Sequence, residues 1–348
     1  MGGCLRGFAK TMSSLDRLPL VTLYLSERCN SRCVTCDYWR NGHDDVSLES
    51  VTRLLPSLAR LETRVALISG GEPLLNPQWE PIARLLREHG LKLWLLTSGL
   101  SLAKHAARVA RLFDAVTVSL DGTDAATYAA IRGLDAFDKV CAGIRALADT
   151  RVQVSVRVTV QRANYRQLPA FVSLAHQLGA HQISFLAVDV ANPHAFGRVE
   201  DFSKTLALAP EDLPVLAGIL AGLEHECGED FRSGFIAESP RRLRHIQQYF
   251  AAVCGLAAYP PVRCNVFEYS AVLNARGQVS PCFFIPGPAR PGACEDLGAA
   301  LNEPRMSALR AQIRAGERRE CATCVCSLWR EPAARATADF LLRPKAHA

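Results

Sequence analysis

Short apolar runs alternate with amphipathic segments through the first two-thirds of the chain, and this alternation predicts its architecture. The runs at 20–26, 64–69, 91–97, 115–120, 152–160 and 182–188 have the length and β-branched content of buried strands. Between them, apolar residues recur at helical spacing over 48–61, 78–89, 102–112, 136–148 and 168–178. Repeated β-α units place their strands parallel in one sheet. Six units predict an α/β fold, a partial (β/α)6 TIM-type barrel over 20–190, with working residues on the loops after the strand C-termini.

Beyond residue 188 the pattern changes. A largely helical connection is expected over 191–260, with helices at 213–223 and 238–253 and Pro210 placed to open the first. A small cysteine-rich domain is expected over 261–330. Within it, 270–274 and 278–281 flank Ala275-Arg276-Gly277 and read as a β-hairpin. Residues 1–19 form an N-terminal extension, and 331–348 an Ala- and Arg-rich tail.

Composition narrows the classes. The chain has 348 residues, 49% of them apolar, enough for a large core. No run approaches the ~20 apolar residues needed to cross a bilayer, and the N-terminus lacks the apolar stretch of a secretion signal. A cytoplasmic protein with no membrane partner is expected. The net charge of +6 is spread along the chain, and runs such as Arg241-Arg242-Leu243-Arg244 read as solvated helix faces. No alternation of basic and aromatic residues suggests stacking on nucleic-acid bases. Thirteen cysteines in a reducing compartment argue for metal–sulfur chemistry rather than disulfides.

Four polar or glycine-rich motifs follow predicted strands and so fall at one end of the sheet. They are Cys29-Asn30-Ser31-Arg32-Cys33-Val34-Thr35-Cys36, Gly70-Gly71-Glu72-Pro73, Thr97-Ser98-Gly99 and Ser119-Leu120-Asp121-Gly122. Ordinary turn chemistry accounts for each glycine or aspartate singly; their shared position points to one site. The C-x₃-C-x₂-C triplet suits three corners of a [4Fe–4S] cluster and leaves the fourth iron open to another ligand. Zinc sites bring their cysteines and histidines as pairs, so a lone triplet fits zinc poorly.

With the triplet and the GGEP turn in this order, the chain resembles the radical S-adenosylmethionine (SAM) superfamily. The resemblance implies that Cys29, Cys33 and Cys36 hold a SAM-binding [4Fe–4S] cluster. It places Gly70, Gly71, Glu72 and Pro73 beside the methionine moiety, the glycines allowing close backbone approach and Glu72 accepting a hydrogen bond from the ammonium group. Ser98 and Ser119 are placed to bond the ribose or the carboxylate. Asp121 contacts SAM or substrate, or else caps the next helix. The residue before the third cysteine, usually aromatic in this superfamily, is Thr35 here, so the adenine contact passes to Tyr38 or Trp39, or to neither. The run 152–160 lacks the glycine–isoleucine pattern found in relatives, and no adenine contact carries over to it.

A second cysteine set follows. Cys264 and Cys282 bracket the hairpin in the pattern C-x₁₂-G-x₄-C, and Cys321-Ala322-Thr323-Cys324 adds a C-x₂-C pair with Cys326 two residues on. This resembles the SPASM and twitch auxiliary domains, in the shorter form with one auxiliary [4Fe–4S] cluster. The resemblance implies Cys264, Cys282, Cys321 and Cys324 as ligands, with Cys326 a substitute for Cys324; a zinc ribbon is the alternative. Cys4, Cys141, Cys227, Cys254 and Cys294 show no ligand spacing, although Cys254 and Cys294 lie near enough in sequence to serve as spares.

The family likeness implies an oxidoreductase. SAM is cleaved reductively to a 5′-deoxyadenosyl radical, which abstracts a hydrogen from the substrate. An auxiliary cluster suggests dehydrogenation or crosslinking of a small molecule or peptide in natural-product or cofactor biosynthesis, with an electron donor such as flavodoxin or ferredoxin. About twenty residues precede the first strand, which leans the reading towards a small molecule. Asp189, His194 and Arg198 lie where a base would be needed, but the sequence singles out none of them as catalytic. A non-catalytic iron–sulfur electron relay, or a zinc-binding interaction module, are the competing classes.

Overall fold

The computed structural model describes residues 14–193, 196, 203–289 and 292–331. Six parallel strands, β1 (Leu20–Ser26), β2 (Val65–Gly70), β3 (Lys92–Thr97), β4 (Ala115–Ser119), β5 (Gln153–Val160) and β6 (Gln182–Ala187), lie side by side in chain order. The helices Leu48–Arg60, Trp79–Glu88, Leu102–Leu112, Phe137–Ala148 and Leu168–Gln177 connect them. The expected partial barrel is present, with each strand within two residues of its expected bounds. Val21, Leu23, Ile68, Leu95, Val118 and Val156, all buried, carry the face turned to the helices.

The opposite face is different. Along β3, β4 and β5 buried residues alternate with half-buried or exposed ones. Helices therefore do not cover the sheet equally on both sides, as they do in a doubly wound parallel fold. The register carries one row of positions across the concave face: Leu96 to Thr117, Thr117 to Ser155, Ser155 to Gln182. One step nearer the strand ends, Ser119 pairs with Arg157 and Arg157 with Ser184. Ser98 extends that row from the end of β3, since Thr97 pairs with Val118.

Several helices escaped the sequence pattern, Ala125–Arg132, Leu297–Asn302 and Pro304–Arg314 among them. Ala125–Arg132 is capped by Asp124, whose side chain accepts from the Thr127 amide, and ends on Gly133 in the left-handed region. The helical connection forms as expected, with Leu213–Glu226 entered through the turn Pro210–Asp212, and Pro240–Val253 behind it.

The hairpin forms as well, but its place was not foreseeable. β7 (Ser270–Leu273) pairs parallel to β1, from Leu20 with Ser270 to Leu23 with Leu273, and β8 (Val279–Ser280) pairs antiparallel to β7. The main sheet thus has eight strands, in the order β6-β5-β4-β3-β2-β1-β7-β8. Without β7, the backbone groups of β1 on that side would form an open edge. Cys264, before β7, and Cys282, just after β8, pack against a cluster formed by Leu20, Val65, Val266 and Tyr269 at the start of β1 and β2. The cysteine triplet follows the other end of β1. No helix among the described residues is long and apolar enough to cross a membrane.

Candidate cluster and cofactor site

Backbone contacts hold the cysteine loop from two sides. On one side, the Gly71 amide donates to Ser26 O and the Glu72 amide to Arg28 O, each at 2.8 Å. A Cβ at Gly71 would stand 2.4 Å from Arg28 O, and one at Gly70, whose φ is +125°, would stand 2.5 Å from Ser26 O. The paired glycines let the turn press against the chain's own loop. On the other side, the amides of Arg32 and Val34 donate to Arg132 O and Ile131 O at 3.0 Å, using carbonyls that the end of helix Ala125–Arg132 leaves unpaired.

The three half-buried thiols are thereby brought to one place and act electrostatically on one another. Burial pushes the Cys29 thiol up to about 11 and the Cys36 thiol up to about 12, and it also raises Cys33. Backbone amides soften this: Ser31 N lies 3.5 Å from Cys29 Sγ, and the Tyr38 amide acts on Cys36. Arg132 stands behind the loop. It is buried, its Nη1 donates to Asp121 Oδ2 at 3.0 Å, and its charge favours the thiolates of all three cysteines. Burial works against the guanidinium charge, yet Cys33 and Asp121 hold its pKa above the ordinary arginine value. Around Cys33, Ser31 Oγ, Arg132 Nε and Tyr128 OH are buried with no hydrogen-bond partner among the described residues.

Glu72 is fully buried, and local donors use up its carboxylate. Oε1 accepts from the Leu74 amide at 3.1 Å and from Thr97 Oγ1 at 2.9 Å; Oε2 accepts from the Ser98 amide at 2.8 Å and from Ser98 Oγ at 2.7 Å. Glu72 is therefore a strut joining the GGEP turn to the end of β3. The same carboxylate is the one to which the sequence assigned the ammonium group of SAM. Pro73 and Leu74 are buried behind it. Asp121 is buried too, and the Thr159 amide donates to its Oδ1 at 2.7 Å. It does not cap the next helix; Asp124 does.

Ser119 is half-buried on the concave face, and its register partner Arg157 is exposed there. Arg157 Nε donates to Ser184 Oγ, which aims the guanidinium along the row. The sequence reading missed Arg157, although a signal was present: it is the one charge in Gln153–Val160, where polar residues alternate with valines. Tyr38 opens the short helix Tyr38–Asn41 and meets Tyr24 edge-on, while Trp39 lies between Arg32 and Arg40. Asp189 is buried after β6, where its Oδ1 accepts from the amides of Ala191 and Asn192. His194 and Arg198 lie outside the described residues.

The second cysteine set also converges. Asn265 N donates to Leu328 O at 3.0 Å, and Asn265 Nδ2 donates to Arg330 O at 2.7 Å, which ties the segment of Cys264 to that of Cys326. Burial pushes Cys282 up to about 12, with Cys264 and Cys321 adding to it, and Cys321 up to about 11, with Cys264 adding. Cys324 rises further through burial, then through Cys326. The amides of Phe284 and Ile285 act on the Cys282 sulfur, and Cys326 N lies 3.3 Å from Cys324 Sγ. All five cysteines share this region, so Cys324 and Cys326 remain alternatives there. Cys254 and Cys294 stand elsewhere: the first donates to Leu208 O, and the second is buried in the main core.

Among the described residues, no group of three His, Cys, Asp or Glu side chains is gathered so as to hold a metal ion. A cube asks for a different arrangement, because each thiolate takes a separate iron and the sulfurs stand apart. The donor chemistry fits such a group at both places. The donors are all thiols, amides point at several of the sulfurs, and a buried arginine offsets charge at the first site.

Residues 23–175 match the family model described as the Radical SAM superfamily. An AdoMet-dependent heme synthase of Methanosarcina barkeri is 30% identical over 171 residues, covering 46% of this chain and 48% of that protein. Mycofactocin maturase MftC of Mycobacterium tuberculosis is 29% identical over 171 residues, covering 48% of this chain and 44% of that one. The chain spans about half the length of the curated relatives it matches. Among solved structures, Streptococcus suis SuiB bound to S-adenosylmethionine superposes with a TM-score of 0.63 at 14% identity, covering 86% of this chain and 69% of that one. At that identity the likeness is one of fold, and it extends past the barrel into the cysteine-rich region.

Proposed function

We propose that this chain, whose residues 23–175 match the Radical SAM superfamily, cleaves SAM reductively to oxidise a small molecule or a peptide. One observation carries the reading. Three mutually interacting thiols are clasped between the GGEP turn and a helix end, beside a polar row formed by Ser98, Ser119, Arg157 and Ser184. When bound, the cluster and SAM supply one-electron cleavage of a sulfonium C–S bond, giving methionine and a 5′-deoxyadenosyl radical that takes a hydrogen atom from the substrate.

The chain's own residues bind, orient and exclude water. Cys29, Cys33 and Cys36 would hold three irons, and Arg132 offsets the negative charge their thiolates bring. Ser119 and Arg157 form a hydroxyl and guanidinium pair suited to a carboxylate, and we assign them the carboxylate of SAM. Glu72 orders the rim, donating nothing and accepting only from its own neighbours, so the ammonium group is left to the backbone carbonyls of the turn. Tyr38 is placed beside the loop to meet the adenine.

Cys264, Cys282, Cys321 and Cys324 would hold the acceptor for the electron of the substrate radical. Such an acceptor makes the net change a two-electron oxidation, a dehydrogenation or a crosslink. The names of the two relatives, a heme synthase and a maturase, support a place in cofactor or natural-product assembly. The cysteine content suits a reducing cytoplasm, and the first cluster needs a low-potential donor of the flavodoxin or ferredoxin kind.

Anaerobic reconstitution with iron and sulfide tests this reading. Both sites are expected to load, and addition of SAM is expected to change the EPR signal of one reduced cluster and not the other. Purified protein holding zinc and no iron, or a reduced cluster indifferent to SAM, would contradict it.

A further inference from the structure

We propose that Tyr38, Tyr24 and Phe283 form a continuous aromatic path along which one electron passes between the two cluster sites. Tyr24 lies near the middle of the segment of β1 that separates the two cysteine sets. Its ring meets that of Tyr38 edge-on, with centroids 5.9 Å apart and planes at 78°, and meets that of Phe283 at 6.2 Å and 34°. Both separations are those of contacting aromatic pairs. Tyr38 follows Cys36 by two residues, and Phe283 follows Cys282 directly. The three rings therefore connect the immediate surroundings of a candidate ligand of one cluster to those of the other.

A further observation agrees. The Tyr24 hydroxyl lies within electrostatic reach of the Tyr38 hydroxyl, and of both Cys36 and Cys282. In the transfer, no atom moves and no bond breaks. One electron leaves the reduced auxiliary [4Fe–4S] centre, which is oxidised by one unit, and enters the first centre, which is reduced by one unit. The electron comes from the substrate radical, so the path returns it to the centre that must be reduced before SAM is cleaved again.

This inference rests on the reading that both sites hold clusters, and the experiment separates the two. Protein with both sites loaded and SAM bound receives less than one electron per chain from a pulse of reductant, and freeze-quenched EPR follows how that electron redistributes. Wild type and Tyr24→Phe, which keeps the ring, are expected to equilibrate in a fast phase. Tyr24→Leu and Phe283→Leu are expected to lose that phase with iron content and the SAM-dependent signal unchanged. Fast equilibration in fully loaded Tyr24→Leu and Phe283→Leu would overturn the path and leave the two-cluster reading intact. Iron for only one cluster in wild type, seen before any electron is added, would overturn both.

Discussion

Arg132 and Asp121 form a buried ion pair directly behind the cysteine loop, with Nη1 3.0 Å from Oδ2 and the two side chains 10% and 1% exposed. Sequence reading gave Asp121 a contact with SAM or substrate, or a helix cap; Asp124 is the cap, and the pair ties the end of β4 to the end of the helix whose carbonyls grip the loop. Removing one partner leaves a charge buried alone, which costs about 3–5 kcal/mol. Arg132→Met should lower the denaturation midpoint accordingly and reduce iron at the first site, whereas Arg132→Met with Asp121→Asn should regain most of the stability. Urea titration of the three proteins checks this; equal midpoints would show that the pair does no structural work.

Gly71 tests the clasp from its other side. Its backbone conformation is ordinary, but a Cβ would sit 2.4 Å from Arg28 O, a main-chain atom that cannot swing away. Gly71→Ala should cost roughly 1–3 kcal/mol, as overpacking does, and should lower iron at the first site while the second keeps its own. Iron and sulfide analysis after reconstitution reads both effects, and full loading would contradict the account.

Arg157 is the residue to which the geometry assigns the carboxylate of SAM. A charge-assisted hydrogen bond contributes about 1.5–3 kcal/mol, so Arg157→Met should weaken SAM binding by roughly ten- to a hundred-fold. Cluster content should stay at the wild-type level. Anaerobic titration of the loaded protein with SAM, followed by EPR, measures the change.

The metal-free protein should lose stability as pH rises. Burial holds Cys29 and Cys321 near 11 and Cys282 near 12, above the ordinary thiol value of 9.0. Between the ordinary and the raised values, the unfolded chain has released protons that the folded chain still holds, so each step up in pH favours unfolding. This contribution is complete below about pH 8.5 and disappears as pH climbs through the raised values. Denaturant midpoints of the apoprotein, compared at about pH 8 and about pH 10, should fall; a flat or rising profile would contradict the burial of these thiols.

Much of this was legible in the residues alone. Apolar runs located all six barrel strands because each is a local pattern, and the triplet and the GGEP turn located the rim because chemistry was concentrated there. The pairing of β7 with β1 was not legible, since 250 positions separate Leu20 from Ser270 and no local signal records a parallel partner. The partners of Glu72 were hidden for the same reason: its donors Thr97 and Ser98 arrive from 25 and 26 residues away. Arg157 was legible and overlooked. A lone charge among alternating valines marks a strand with one wet face, which is where a barrel keeps its ligand.

Cleavage of SAM itself is the most direct test. Reconstituted anaerobically and mixed with dithionite and SAM, the protein should release 5′-deoxyadenosine and methionine, detectable by mass spectrometry. Cys33→Ala should abolish that release while keeping about half of the iron, the share of one cluster in two. A wild-type sample with both clusters loaded that yields no 5′-deoxyadenosine would contradict the account.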